Sequence, residues 1–256
     1  MHYTNRSNLT KLPRHSRIAA SFWDRFWTEA TATDPLGKGA SELIADLSLY
    51  TKVDRILEIG VGDGRNLPKL HELAEHVVGV DISSVALRRA ASSVSMLNTA
   101  FHLCSACRLP ALSDSCDIVV ATDLLNHLEK PAILSSEVWR ILKRGGKFIG
   151  NAMSTRDPSK RGAAVTGSAI SPEQLVIPWS GAPNVEPVWV TMRYYGKAEL
   201  ERLFCRFDWV EPPAEYDRND AGHPPPFDSR PHRHVFWKII VQKPRGLRQS
   251  AACRMK

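Results

Sequence analysis

Apolar residues in this chain fall into short runs that end at a glycine or an acid, and between the runs the spacing lengthens from two to three or four. The run at 55–59 closes on glycines and is followed by Leu67, Leu70, Leu73 and Ala74, the spacing of a helix face. The pattern predicts strands at 55–59, 76–81, 100–103, 116–121, 147–151, 207–210 and 235–241. Helices are predicted at 17–31, 41–49, 66–75, 83–97, 130–142 and 197–204. Ser83 suits the N-cap of its helix, Pro131 the first turn of the next, and Gly145-Gly146 the end of that one. Strands alternating with helices imply a parallel sheet with helices on both faces and right-handed crossovers. Two stretches break the alternation. Residues 153–196 carry Pro158, Pro172, Pro178, Pro183 and Pro187 and read as an irregular cap with a functional purpose. Residues 212–231, rich in Pro, Asp and His, read as a surface loop.

The turn after the first strand carries the chemistry. Glu58-x-Gly60-x-Gly62-x-Gly64 leads from strand to helix, and Asp81 closes the second strand. Glycines there let a backbone approach a ligand, and an acid at that second position accepts hydrogen bonds from ribose hydroxyls. A dinucleotide fingerprint needs a third glycine where Arg65 stands, and no P-loop Gly-Lys-Ser/Thr occurs. Glu58 would set negative charge beside a pyrophosphate, so the loop suits a cationic or amino-bearing nucleoside. A tight turn without a ligand is the plain alternative.

Further blocks follow in order. Leu109-Pro110 precedes Cys116-Asp-Ile-Val-Val-Ala121 and Asn126-His127-Leu128, and Glu137-x-x-Arg140-x-Leu142-Lys-Arg-Gly-Gly146 closes the series. With the glycine turn, these make the chain resemble the class I S-adenosylmethionine-dependent methyltransferases over about residues 50–152, most like the small-molecule branch of that superfamily. The resemblance implies a Rossmann-like seven-stranded, mostly parallel sheet, S-adenosylmethionine as cofactor, and methyl transfer to oxygen, nitrogen or sulfur of a small molecule. It implies that Glu58, Gly60, Gly62 and Gly64 line the methionine end, that Asp81 holds the ribose and that Ile82 packs on adenine. Where the family usually carries an Asp for the adenine amino group this chain has Ser105, a weaker acceptor, with the amide of Ala106 beside it. The turn Ser154-x-Arg156-Asp157-Pro158 is similar to one in methyltransferases related to tellurite-resistance enzymes. Arg156 there either pairs an anionic acceptor or bridges a local acid.

Asp123 lies just past the fourth strand, where it would hold the cofactor's ammonium, bind substrate, or stand as a solvated acid. His127 is a base or a packing residue. Tyr194 and Tyr195 end the cap and either face the acceptor or pack, with Tyr195 the candidate for catalysis. Phe22, Trp23, Phe26 and Trp27 form an aromatic stripe on the first helix, which packs at the domain edge or covers the cofactor. His223, His232 and His234 read as solvated surface, Cys104 and Cys107 as incidental thiols, and no metal is expected.

Charge narrows the partners. The net charge of +7 resides at the ends. Removing the ten basic residues of 1–23 and 238–256 leaves 24 against 27 acids, a body at −3. The division expected is a disordered basic segment at 1–16, one methyltransferase domain at 17–243 with a cap at 153–196, and a disordered tail at 244–256. Basic tails allow a tRNA- or RNA-modifying enzyme as the second reading and a mitochondrial transit segment as a minor one. A non-catalytic cofactor-binding scaffold is the third. Five cysteines with no secretory signal point to reduced thiols and a cytoplasmic setting, and no apolar run approaches the ~20 residues of a membrane span. The oligomeric state is left open.

Overall fold

The computed structural model describes residues 14–29, 43, 52–93, 99–161, 168–171, 174–179, 188–220 and 232–246. The expected segments at 1–13 and 247–256, most of the 41–49 helix, the end of the helix beyond Ser93 and His223 lie outside them.

A central sheet of eight strands runs in the order β10-β11-β5-β4-β1-β2-β3, with short β9 on β11. Its strands are β1 (Val53–Ile59), β2 (Ala74–Asp81), β3 (Thr99–Leu103), β4 (Cys116–Ala121), β5 (Leu142–Met153), β9 (Asp208–Trp209), β10 (Ala214–Asp220) and β11 (His232–Gln242). The first five are mutually parallel, and β11 runs antiparallel to both β5 and β10. The helices are α1 (Arg14–Glu29), α2 (Leu67–Leu73), α3 (Ser84–Ser93), α4 (Pro131–Ile141) and α5 (Lys197–Leu203). The mostly parallel α/β architecture expected from the alternation is the one observed.

The central strands are apolar on both faces. Leu57, Val119, Phe148 and Val241 face one core with Phe204 and Tyr195, whereas Ile56, Ile118, Val120 and Ile149 face a second with Leu67, Leu70 and Leu73. Such double burial explains why these strands read as continuous apolar runs. Ser83 caps α3 as expected, its Oγ accepting the Ala86 N–H at 3.1 Å.

Several boundaries differ. The first helix starts at Arg14, so residues 14–16 are helical. The cap is an antiparallel three-stranded sheet, β6 (Ser168–Ser171), β7 (Gln174–Trp179) and β8 (Val188–Arg193), in place of an irregular segment. Part of the stretch expected as a loop at 212–231 is strand: Ala214–Asp220 is edge strand β10, in register with β11 from Ala214 opposite Lys238 to Asp220 opposite His232. Its polar sequence hid it, as befits an edge strand. His232 and His234 therefore lie in β11. His234 is buried and meets Asp157 Oδ2 at 3.0 Å through Nδ1, so the solvated-surface reading of that residue is corrected.

The basic C-terminus is partly structural too. Lys238 pairs with Glu211 at 2.8 Å. Lys243 is buried, and its Nζ donates to Asp114 Oδ1 at 2.6 Å and to the carbonyls of Trp139 and Leu142 at 2.8 Å each. It closes the end of α4, where carbonyls lack helical partners. Lys243→Met should orphan those carbonyls and lower unfolding free energy by about 2–3 kcal/mol in denaturant titration. A change under about 0.5 kcal/mol, the size of a plain surface substitution, would show the lysine to be dispensable.

Candidate active site

In an open parallel sheet, ligands sit beyond the carboxyl ends where the strand order reverses. Here that point lies between β1 and β4: the chain leaves β1 toward β2 and β3, and leaves β4 toward β5. β1 delivers Glu58 and the glycine turn to this crevice, β2 delivers Asp81, and β4 delivers Thr122, Asp123 and the short 3-10 turn Leu125–His127.

The glycines adopt the left-handed backbone their spacing suggested, with φ of 73°, 56° and 81° at Gly60, Gly62 and Gly64. Gly60 N–H and Val61 N–H both donate to the Val80 carbonyl, at 2.8 and 3.1 Å, tying the turn to β2. The Asp81 carboxylate then grips the turn, Oδ2 accepting Gly62 N–H at 3.0 Å and Oδ1 accepting Ser83 N–H at 2.8 Å. Asp81 thus organises the loop as well as lining it. A Cβ at Gly64 would stand 3.0 Å from the Ala90 backbone, so that glycine also permits α3 to pack close.

Two carboxyls here are deeply desolvated. Glu58 is fully buried. Oε1 accepts Asn66 Nδ2 at 2.6 Å, whereas Oε2 has no hydrogen-bond partner. Burial, partly offset by the Asn66 hydrogen bond, pushes its pKa up to about 8, and burial likewise raises Asp81 to about 6. Two buried acids with raised pKa values, of which Glu58 keeps its proton near neutrality and has an orphaned oxygen, form a site short of positive charge. A ligand with a sulfonium and an ammonium and no phosphate supplies what is missing, so these residues fit S-adenosylmethionine. Ser105 is buried and its Oγ accepts the Cys107 N–H at 3.3 Å, with half-buried Ala106 between them. Ile82 is half-buried beside Asp81. Cys104 and Cys107 are free thiols, and burial pushes the Cys104 pKa up to about 12, which leaves it unreactive.

Helix α1 covers this crevice. Trp27 lies against Gly62, its Cζ2 only 2.9 Å from where a Cβ would be. Asp24 accepts the Val85 N–H at 3.1 Å and the Ser83 hydroxyl at 2.7 Å, docking α1 at the start of α3. Phe22, Phe26 and Trp27 pack with Ala86 and with Val190 of β8. The aromatic stripe therefore both packs and covers.

On the β4 side, His127 Nδ1 stands 3.2 Å from the Thr191 carbonyl of β8, and the ring meets Trp23 edge-on at 4.8 Å between centroids. A carbonyl only accepts, so Nδ1 carries the hydrogen. Burial lowers the His127 pKa, and the neutral ring therefore presents a lone pair at Nε2. Asp123 has φ of 54°. Its N–H donates to Asn151 Oδ1 at 2.6 Å, and its carboxylate receives Asn151 Nδ2 at 2.8 Å and Arg218 Nη1 at 2.9 Å from each oxygen.

The tyrosines fall away from the site. Tyr195 is fully buried, its hydroxyl donates to the Leu125 carbonyl at 2.8 Å, and burial drives its pKa far up, so the catalytic role expected of it is corrected to packing. Tyr194 is equally buried, near Ser159. Arg156 bridges a local acid, Glu215, at 2.6 Å. Arg218 and Asn151 were missed from sequence. Arg218 falls in a stretch whose polar sequence reads as a loop, and Asn151, at a strand end, bears no charge to draw notice.

Among the described residues the one cluster with metal-ligand spacing is exposed Asp54, Glu75 and His76 at the opposite end of the sheet, and no helix is long and apolar enough to cross a membrane.

Residues 57–150 match the family model described as a methyltransferase domain. Over 115 residues the chain is 30% identical to a malonyl-[acyl-carrier protein] O-methyltransferase of Marinomonas, and over 99 residues 31% identical to a phosphatidylethanolamine N-methyltransferase of Cereibacter sphaeroides. These matches take in 44% and 37% of this chain, and only 42% and 48% of those proteins' own length. Among solved structures, a SAM-dependent methyltransferase from Methanosarcina mazei superposes with a TM-score of 0.60 at 21% identity, covering 78% of this chain and 97% of that one. Another from Anabaena variabilis gives 0.65 at 12% identity, covering 91% and 96%. At such identities the structural likeness is one of fold.

Proposed function

We propose that the chain is a class I S-adenosylmethionine-dependent methyltransferase, as the methyltransferase-domain match over residues 57–150 supports, and that it transfers a methyl group to a small-molecule acceptor with His127 as the proton acceptor. The observation that carries this reading is the roof over the crevice. α1 and β8 meet through Trp27 and Val190 above Gly62, and they also supply Trp23 and the Thr191 carbonyl around His127. Such a cover suits a compact acceptor better than a polymer. The two curated relatives are named for O- and N-methylation of different substrates, so they share the donor half of the reaction and leave the acceptor open.

When bound, S-adenosylmethionine supplies a methyl on a sulfonium, whose departure leaves a neutral thioether. Glu58 and the glycine turn would hold its methionine end, Asp81 its ribose, Ile82 and the Ser105–Ala106 turn its adenine. The residues of the chain then provide alignment and exclusion of water, which suffice for an acceptor that is already nucleophilic. For a hydroxyl or ammonium acceptor, His127 Nε2 takes the proton that methylation releases.

His127→Gln should lower label transfer by about 10²- to 10⁴-fold while leaving S-adenosylhomocysteine affinity within about twofold. In the wild type, activity should rise with pH through a pKa below the ordinary histidine value of 6.5, because protonation fills the Nε2 lone pair. A variant that keeps the same rate and acid limb would remove His127 from this role. The reading as a whole is tested by isotopically labelled methyl donor offered to a metabolite extract and, separately, to bulk tRNA, with mass spectrometry of both. Label in small molecules is the expected result, and label confined to tRNA would overturn it.

A further inference from the structure

The lock around Asp123 is more elaborate than a solvated loop acid needs. Its backbone sits at φ of 54°, a conformation an aspartate tolerates but does not prefer. Asn151 fixes it twice, through main chain and carboxylate, and Tyr216 Oη lies 3.2 Å from the same Asn151 Nδ2. Arg218 Nη1 straddles both carboxylate oxygens at 2.9 Å, while its guanidinium lies over the Phe236 ring at 4.2 Å from the centroid. Strands β5 and β10 thus meet on one side chain at the carboxyl end of β4, with Phe236 of β11 backing the arginine. Strained, over-determined residues in such a place are a signature of function.

The sign of the ligand follows from which partner faces outward. The Asp123 side chain is 43% exposed and that of Arg218 only 10%. The ion pair presents its acid to the crevice and holds its base behind. Each carboxylate oxygen has two lone-pair directions, so the bonds from Arg218 and Asn151 leave some free. An incoming anion would meet the carboxylate first, whereas an ammonium would find acceptors already oriented.

Building on the methyl-donor reading, we propose that Asp123 is the seat of an ammonium group and that Arg218, with Asn151, is its positioning residue. Arg218 keeps the carboxylate ionised while a ligand covers it: burial alone would raise the Asp123 pKa, yet the guanidinium and the Asn151 amide bring it below the usual value. The ammonium can come from the methionine end of the cofactor or from an amine acceptor, and the two sources are separable.

Calorimetry would compare S-adenosylhomocysteine with 5′-methylthioadenosine, which lacks the amino-acid portion, on wild type, Asp123→Asn, Arg218→Met and Arg218→Lys. If the cofactor supplies the ammonium, Asp123→Asn and Arg218→Met weaken S-adenosylhomocysteine by about 10- to 100-fold and leave methylthioadenosine unchanged, with Arg218→Lys in between. If the acceptor supplies it, both nucleosides bind all four proteins alike. In that case phenethylamine, but not 3-phenylpropionate, should shift the Asp123 and Asn151 amide resonances of the S-adenosylhomocysteine-saturated protein, and Asp123→Asn should abolish the effect. Equal nucleoside binding together with no preference for the amine would overturn the seat alone. Absence of any S-adenosylhomocysteine binding by the wild type would overturn the methyl-donor reading and the seat with it.

Discussion

Gly62→Arg should bind S-adenosylhomocysteine at least about 100-fold more weakly than the wild type, whereas Gly196→Ala should bind it normally. Gly62 combines a φ of 56° with a Cβ position only 2.9 and 3.1 Å from two atoms of the Trp27 indole. A rigid ring cannot swing away as a flexible side-chain end would, so α1 must lift or the turn must deform. Either movement disturbs the Gly62 N–H bond to Asp81 and opens the crevice to water. The left-handed backbone adds about 1 kcal/mol of strain for a non-glycine residue. Gly196 has neither burden: φ is −91° and nothing lies within 4 Å of its Cβ position. Circular dichroism should show both variants folded. Equal affinity in the two would mean that the glycine turn is only a connector.

The second large effect concerns pH. The Glu58 carboxyl keeps its proton up to about pH 8 in the folded chain, against an ordinary value of 4.5. Between those values the unfolded state binds fewer protons than the native state, so stability is fully present below pH ~4.5 and declines as pH rises toward 8, by a few kcal/mol in total. Asp81, raised from 3.8 to about 6, acts in the same direction over a lower window. Denaturant unfolding of the ligand-free protein should therefore show stability falling from pH 6.5 to pH 8.5, and Glu58→Gln should flatten that segment while leaving the fall below about pH 6 in place. A cationic ligand beside Glu58 favours the ionised form, so S-adenosylmethionine should flatten the wild-type slope as well. Its binding near pH 7 should also release up to about one proton, visible as a calorimetric heat that varies with buffer ionisation enthalpy. A Glu58→Gln protein with an unchanged slope would remove Glu58 as the source.

Both predictions rest on residues that local sequence marks clearly. The glycine turn is legible because glycine takes φ above zero without a steric cost, and Glu58 and Asp81 because strand ends in a parallel sheet face the ligand. The β1 to β5 alternation was readable because doubly buried strands leave unbroken apolar runs. What lay hidden depends on contacts between distant segments. Tyr195 looked available at the end of the cap, and its hydroxyl is spent on the Leu125 carbonyl, 70 positions away. Arg218 sits in a strand too polar to announce itself, and only the pairing of β10 with β11 carries it over Phe236 to Asp123. His234 gave no hint of Asp157, which it meets across 77 positions.

The atom that sets the tautomer of His127 is a main-chain oxygen, the Thr191 carbonyl, on a strand paired residue by residue with β7. Side-chain substitution at that position leaves the atom in place, so drift in the cap's composition can reshape what the crevice admits without disarming the imidazole. A single-residue insertion or deletion within β8, ahead of Thr191, is another matter. It reverses which carbonyls point inward, and the imidazole loses its anchor at one stroke. Diversification of substrate choice in this architecture is therefore open to point changes and closed to odd-numbered length changes inside that strand.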